Sequence, residues 1–484
     1  MKKIKLSLII LSLVLLNACE DSIDITPKSV MTSVSMLETE ENAESAMYGS
    51  YVRLRSTLAT YYVYYGDYRT GFWGDGIMNA TWLFDVFKNT LDDEDNGTNW
   101  INFYRTINDC NLILKHVPNI EFSSEDTRNS ILANAYFLRA FCYYYIARIW
   151  GDAPIVLEGF ESDESKEMYP EREALAKVLS QVAEDVDAAI SLFPDDDAGS
   201  RKIGSIGAAY MLKTDLYLWL AKTQDGGDSD LNTAKESVQQ VLSNSNYMLL
   251  DDYETVFTDD GNSEIIFAIN QEINEYTGGF ASDWLVAIQY VNDQSLVENP
   301  IKVGAVQQWT TLTDEFEEFI YENPEDTRST TTLETFTEDG NRHFKWINKF
   351  VGEWTNETRY FTSDPKLYRF AEAILFMAEI ENALGNTDAA LTQLNRITKR
   401  AYGTDNYYSG SYSKEELDEI ILNERLKEFT AEGKAWWDLI RFNRVFERVS
   451  SLVGRENEEN ILLWPLNVNT LNTNPNITQT PGYN

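Results

Sequence analysis

Apolar side chains recur at helical spacing along most of this chain. "KLYRFAEAILFMAEIENALGN" sets Leu367, Phe370, Ala371, Ile374 and Ala378 on one stripe, and Gly385 closes the segment. "TDAALTQLNRITKR" then begins another helix with Leu391, Leu394 and Ile397 facing inward. "NSILANAYFLRAFCYYYIARIW" is apolar nearly all round, with Arg139 and Arg148 the main exceptions, a pattern that belongs to a helix buried on several sides. Glycine and then proline end it at "GDAP", Gly151 to Pro154. The predicted class is mainly all-α.

The helix–Gly–helix unit around Gly385 resembles a tetratricopeptide repeat. Ala378 is small enough to let two helices approach, and Ala390 follows the glycine by five residues. Further helices are expected at about 100–150, 171–243, 366–400 and 414–448. Each pair exposes an apolar face that only another pair can cover, so several must stack. Two insertions break the pattern, at about 61–99 and 270–365. The first holds "YYVYYGDYRTGFWGDGIMNATWLF"; the second mixes Gly, Thr and Asn with scattered aromatics. Neither shows a sustained helical or strand period. Long irregular stretches in a compact protein are usually functional or disordered, and this aromatic content argues against disorder.

The amino terminus adds an address. Lys2, Lys3 and Lys5 precede an apolar run from Leu6 to Leu16, too short to span a bilayer. "LNAC" follows, with small Ala18 just before Cys19, and resembles a bacterial lipobox. Residues 1–18 are therefore expected to be a lipoprotein signal peptide, with lipid carried on Cys19 and residues 19–484 as one tethered domain; several acyl chains on one residue anchor stably. Glu20 and Asp21 resemble the acidic tag that sends some such proteins to the cell exterior.

Composition then excludes partners. Seventy-eight acids against 40 bases give a net charge of −38, which rules against nucleic acid, where Lys and Arg must neutralise phosphates. The remaining cysteines, Cys110 and Cys142, lie in apolar helical segments and read as two buried thiols, with a disulfide as the alternative. His116 and His343 are far apart and no Cys/His cluster accompanies them, so no metal or organic cofactor is expected. "DDEDNGT" fails as a calcium loop, because its twelfth position would be Phe103 and not Glu.

Six segments, in order along the chain, together resemble the SusD/RagB family of outer-membrane nutrient-binding lipoproteins. "WINFYRTINDCN" is similar to the family's helix through Trp100, Tyr104, Ile107 and Asn111, and "LRAFCYYYIARIWGDAPIV" to its central helix. "YMLLDDYETVFTDDGNSEIIFAI" matches through Tyr253, Phe257, Asn262 and Glu264, and "RFAEAILFMAEIENALGN" resembles a further helix. "NERLKEFTAEGKAWWDLIRF" matches through Glu424, Arg425, Glu428, Glu432, Gly433, Asp438, Leu439 and Arg441, and the ending "NPNITQTPGYN" is similar too. Ala435, Asn467 and Thr480 depart from the family pattern and read as scaffold positions. Glu424, Arg425, Asp438 and Arg441 read as a partly buried ion-pair network. The resemblance implies a right-handed superhelix of tetratricopeptide-like pairs with a loop-rich lobe, and an oligosaccharide-binding or, in RagB-like members, peptide-binding protein. It also implies a partner, a SusC-like TonB-dependent β-barrel transporter, at the outer membrane.

A sugar ring has a C–H face that flat aromatics cover and a hydroxyl rim that Asp, Asn and Arg can bond. Candidate ligand-binding residues are Trp73, Asp75, Trp82, Trp284, Tyr290, Trp309 and Trp354, all from the two insertions, whereas Trp100, Trp150, Trp219, Trp436 and Trp437 read as core. The rival class is an all-helical glycoside hydrolase, which needs two placed carboxylates. Carboxylates are abundant here and decide nothing, while nucleophile, zinc and phosphate-loop motifs are absent. A surface scaffold that binds only protein is the third reading. The expectation is binding without catalysis.

Overall fold

A computed structural model describes residues 37–161, 169–194, 199–273, 275, 281–304 and 307–483. Cys19 and the signal segment lie outside them. Helices dominate: α1 (Glu40–Gly66), α2 (Ile101–His116), α3 (Glu125–Trp150), α4 (Leu175–Leu192), α5 (Ile206–Thr223), α6 (Gly227–Ser243), α7 (Phe370–Ala383), α8 (Thr387–Tyr402), α9 (Lys414–Glu428) and α10 (Ala435–Arg441). Local chemistry sets the ends. Thr39, Ser124, Ser205 and Ser413 each accept an N–H of the first turn, and Ser413 with Glu416 forms a full capping box. Each helix from α2 to α6 packs on the next in chain order, and α6 then meets α7, so the pairs stack as one superhelix. Among the described residues no helix is long and apolar enough to cross a membrane.

The central helix α3 is buried throughout its second half, as its all-round apolar pattern requires. The two basic residues of that half are neutralised in place. Arg139 makes a two-pronged contact with Asp185 of α4 (2.8 and 2.6 Å), and Arg148 lies 3.6 Å from Asp215 of α5. Cys110 and Cys142 are buried free thiols, and burial pushes both thiols well up in pKa. Trp100, Trp150, Trp219, Trp436 and Trp437 are all core residues.

The ion-pair network is larger than the four residues singled out in the sequence, and it is wholly buried. Arg369 donates to Glu264 (2.8 Å), Glu428 (2.6 Å) and Glu432 (2.8 Å). Arg400 of α8 also bonds Glu264 and Glu428. Arg328 reaches Asp326, Glu424 and Glu428, and Lys349 reaches Glu432. A second group beside it joins Arg425 to Asp438 and Glu372, and Arg441 to Asp438 and Glu379. Burial alone would raise these glutamates. Arg441 and Lys222 overcome it at Glu379 and hold it at about 2, and Arg400, Arg369 and Arg328 hold Glu428 well below the usual range.

Two expectations need correction. Tyr61 to Gly66 is not irregular but the last part of α1. Its tyrosines are buried on several sides, so the segment carries no polar stripe to reveal a helix. The second insertion is not without strands either. Leu333–Glu338 (β4) and Arg342–Ile347 (β5) form an antiparallel hairpin, and its turn contains Asp339 and Gly340, both at positive φ. The Asp-Gly pair was a readable hairpin signal. Three further short antiparallel pairs are β1 (Trp73–Asp75) with β3 (Thr310–Leu312), β2 (Ile265–Ala268) with β8 (Lys366–Arg369), and β6 (Glu353–Thr355) with β7 (Thr358–Tyr360). Around β4 and β5 lies a small core of its own, with Leu285, Val286, Val291, Ile301, Val303, Phe344 and Trp346. The departures at Ala435 and Asn467 are accommodated: the Ala435 N–H donates to Asp67, and the Asn467 amide donates to the Asp93 carbonyl and the Thr98 hydroxyl.

These buried carboxylates set an expected pH profile. Burial raises Asp67 from 3.8 to about 7 and Asp364 from 3.8 to about 6, so the stability they give is full below 3.8 and is lost as pH rises from there through 6 to 7. Glu379, at about 2 against an ordinary 4.5, acts oppositely: its contribution is present above 4.5 and lost as pH falls toward 2. Relief of the −38 net charge favours acid as well. Thermal melts from pH 3 to 9 should therefore peak at roughly pH 4–5. A maximum at pH 8 or above would contradict this balance.

Candidate functional site

The two insertions meet. β1 comes from the first and β3 from the second, and their pairing sets Trp73 opposite Leu312, Gly74 opposite Thr311 and Asp75 opposite Thr310. The ladder runs on past β1, with the Gly76 N–H donating to the Trp309 carbonyl (2.8 Å) and the Met78 N–H to the Gln308 carbonyl (3.1 Å). A side chain at Gly76 would strike that backbone, since an added Cβ would lie 2.5 Å from the Gln308 oxygen. Asp75 closes the loop by accepting the Ala80 N–H at 2.9 Å. Upstream, buried Arg69 donates to Asn89 and to the carbonyls of Ile461, Leu462 and Leu463, and stacks 4.4 Å from the Trp436 ring. The carboxy-terminal segment thus clamps the start of the loop.

The loop presents an aromatic face. Trp82 and Trp309 meet edge to face at 4.8 Å, and both remain partly accessible. The Tyr290 hydroxyl donates to the Met78 sulfur at 3.1 Å. Ile77, Met78, Trp82 and Phe84 are exposed large apolar residues within one eight-residue stretch, the kind of concentration that marks an interaction surface. Tyr64 of α1 lies next to the Trp82 side chain, and burial raises its phenol. Beside β1 a cleft of about 920 Å³ opens between Phe72, Phe84 and the short helix Asp314–Ile320, with Phe72 stacked on Phe316 at 4.3 Å.

Of the seven candidate residues, Trp82, Tyr290 and Trp309 lie on this face, and Asp75 closes the loop that carries it. Trp73 and Trp284 do not present a surface: each is at most 3% exposed. They pack against each other at 5.3 Å, and the Trp284 indole N–H donates to the Tyr68 hydroxyl at 3.1 Å. Their expected role as sugar platforms is thereby corrected; they form the floor under the face. Trp354 sits on the β6–β7 hairpin, stacked against Arg359 at 5.2 Å and packed on the small second core. Sequence reading missed Tyr64, Met78 and Asp283. Tyr64 was hidden in a helix end read as loop, and nothing in the pattern distinguishes Asp283 from the other acids. Among the described residues no group of three or more Cys, His, Asp or Glu side chains is arranged to hold a metal.

Stacked helix pairs carrying a loop-built aromatic face define a helical-repeat protein with a recognition lobe. Comparison with known proteins gives this class a family. The model of the SusD family matches residues 303–483, and a second model, described as "Starch-binding associating with outer membrane", matches residues 32–218. SusD-like protein P38 of Formosa agariphila is 25% identical over 98% of both chains, and a SusD-like protein of Bacteroides ovatus is 24% identical over 91% of this chain and 83% of that one. Among solved structures, NanU of B. fragilis superposes with a TM-score of 0.81 at 27% identity, covering 95% of this chain and all of that one. A SusD superfamily protein from Bacteroides fragilis gives 0.80 at 25%, covering 92% and 100%. The chain belongs to the SusD family, whose members are outer-membrane-associated proteins.

The burial contrast predicts opposite stabilities for two classes of tryptophan. Trp284→Ala and Trp73→Ala should each cost about 3–5 kcal/mol, as core aromatic truncations do. Trp82→Ala and Trp309→Ala should cost about 1 kcal/mol or less, because less of each ring is withdrawn from water. Denaturant unfolding of the four variants checks the ranking. Equal losses in both pairs would contradict it.

Proposed function

We propose that this protein is a cell-surface, glycan-binding lipoprotein that captures a nutrient oligosaccharide and passes it to a SusC-like TonB-dependent outer-membrane transporter. The observation that carries the reading is the accessible Trp82–Trp309 pair, backed by Tyr64 and flanked by Tyr290 and Met78. Flat rings of this kind cover the C–H face of a sugar, and their rigid support lowers the entropic cost of binding. The face is open, so the hydrated ligand is held modestly, on the order of micromolar to millimolar. The reading includes binding without turnover, and an anchor on Cys19 that faces the cell exterior.

Isothermal titration against a panel of oligosaccharides tests this function. Trp82→Ala and Trp309→Ala should each weaken binding about tenfold or more while the melting temperature stays near wild type. Unchanged affinity in both variants would remove the face from the site. Binding of peptides with no glycan affinity would instead favour a RagB-like role, and release of hydrolysed sugar would favour the hydrolase. For the anchor, Cys19→Ala should leave the outer-membrane fraction; retention of that variant in cells lacking the barrel would refute lipidation.

A further inference from the structure

Aromatic rings cover one side of a sugar, but each hydroxyl that leaves water needs a new partner. Asp283 stands where such a partner is wanted. Its carbonyl receives the N–H groups of both Trp309 (3.0 Å) and Thr310 (3.2 Å), which fixes the residue beside the Trp309 main chain, and its carboxylate acts on Tyr64, the phenol that bonds the Trp82 side chain. Its Oδ1 accepts from the Ser282 hydroxyl at 3.2 Å. Its Oδ2 has no hydrogen-bond partner among the described residues, and it is not sealed from solvent. No lysine, arginine or histidine acts on this carboxylate; the titratable neighbours that feel it are Tyr64 and Tyr68, phenols that burial holds neutral. Asp283 is thus an unneutralised, half-buried carboxylate with a free acceptor, at the edge of the aromatic pair. It also lies between the two segments that the family models match.

We propose, resting on the binding face described above, that Asp283 is the specificity-determining residue of this site: its carboxylate accepts hydrogen bonds from the hydroxyls of a neutral sugar laid against Trp82 and Trp309, and turns away glycans that carry a carboxylate or sulfate there. Two anionic oxygens brought into contact at a half-buried carboxylate repel each other unless a cation lies between them. The ligand class is therefore neutral oligosaccharide. The protein's overall negative field works the same way but is screened within about 8–10 Å by physiological salt, so it cannot replace a local group. Burial raises Asp283 to about 6. Near pH 5 the carboxyl is mostly protonated, becomes a donor as well as an acceptor, and loses its repulsion.

The test is titration calorimetry of the purified chain against neutral malto-, xylo-, manno- and galacto-oligosaccharides, and against oligogalacturonate and sulfated galacto-oligosaccharides, at pH 7.5 and pH 5. Wild type should bind a neutral member and discriminate against the anionic ones at pH 7.5. Asp283→Asn, nearly the same in shape, should lose about tenfold for the neutral ligand, the scale of one hydrogen bond to a charged group, and should narrow the neutral-to-anionic ratio at least fivefold. Asp283→Glu, which keeps the charge but moves it, should weaken neutral binding while keeping discrimination. Lowering the pH to 5 should narrow the ratio in wild type and leave Asp283→Asn unchanged. If Asp283→Asn keeps both affinity and ratio while Trp309→Ala loses binding, the Asp283 assignment fails and the face stands. If Trp309→Ala binds normally, the face fails and the assignment with it. Wild-type preference for an anionic glycan overturns the proposal, and binding to no member of the panel overturns it together with the glycan reading.

Discussion

Everything in this molecule hangs on the rule that a charge taken out of water must be met by an opposite charge. Arg369, Arg400, Arg328 and Lys349 share Glu264, Glu424, Glu428 and Glu432 in a space with almost no solvent access. Removing one member of such a cluster leaves a bare buried ion, which costs on the order of 3–5 kcal/mol. The members come from different parts of the chain: Glu264 precedes β2, Arg369 ends β8, Arg400 lies on α8, Glu424 and Glu428 on α9. Arg328 and Lys349 belong to the loop-rich lobe. The cluster therefore fixes more than the packing of helices. It sets the position of the lobe against them, because only one placement satisfies all the partners at once.

That fixed placement is what makes a recognition surface out of irregular chain. α1 and the turn that follows it deliver Tyr61, Tyr64, Tyr65 and Tyr68 to the inner side of the lobe, with neighbouring ring centres 5.1 to 5.9 Å apart. Trp73 and Trp284 continue the aromatic packing, and Phe350 extends it at 6.1 Å. Trp82 and Trp309 stand at its outer end. Their stiffness comes from what lies beneath them. A loop tryptophan on mobile backbone would lose rotational freedom on binding, whereas one seated on a packed aromatic floor has already lost it.

The legible and the hidden parts of this design divide on physical lines. α8 was readable because one face is buried and the other solvated, so its periodicity survives in the sequence, while α7 is buried nearly all round and shows as a helix through its unbroken apolar run closed by Gly385. The end of α1 was not, since tyrosines buried on several sides leave no stripe, and the short pairs β1–β3 and β2–β8 depend on partners far away along the chain. The β4–β5 hairpin did advertise itself through Asp339-Gly340. Among the site candidates, residue type was informative and burial was not: Trp82 and Trp284 look alike in sequence, yet one reaches solvent and the other bonds Tyr68 in the interior. Asp283 had no signal at all, because its character arises from Ser282, the Trp309 N–H and the neutral tyrosines around it.

The three-residue β1–β3 ribbon has a further meaning for the life of the chain. Tyr68 and Thr310, whose hydroxyls touch at 3.2 Å, are 242 positions apart. Closing a loop of that length is entropically unfavourable and is repaid only by contacts that form afterwards. During synthesis the first wall of the face emerges long before the second exists. A truncated, clipped or half-folded copy thus carries exposed aromatics but no assembled face, so ligand capture is reserved for chains that have completed their fold. The ribbon acts as a seal of completion, and competence to bind reports the integrity of the whole polypeptide.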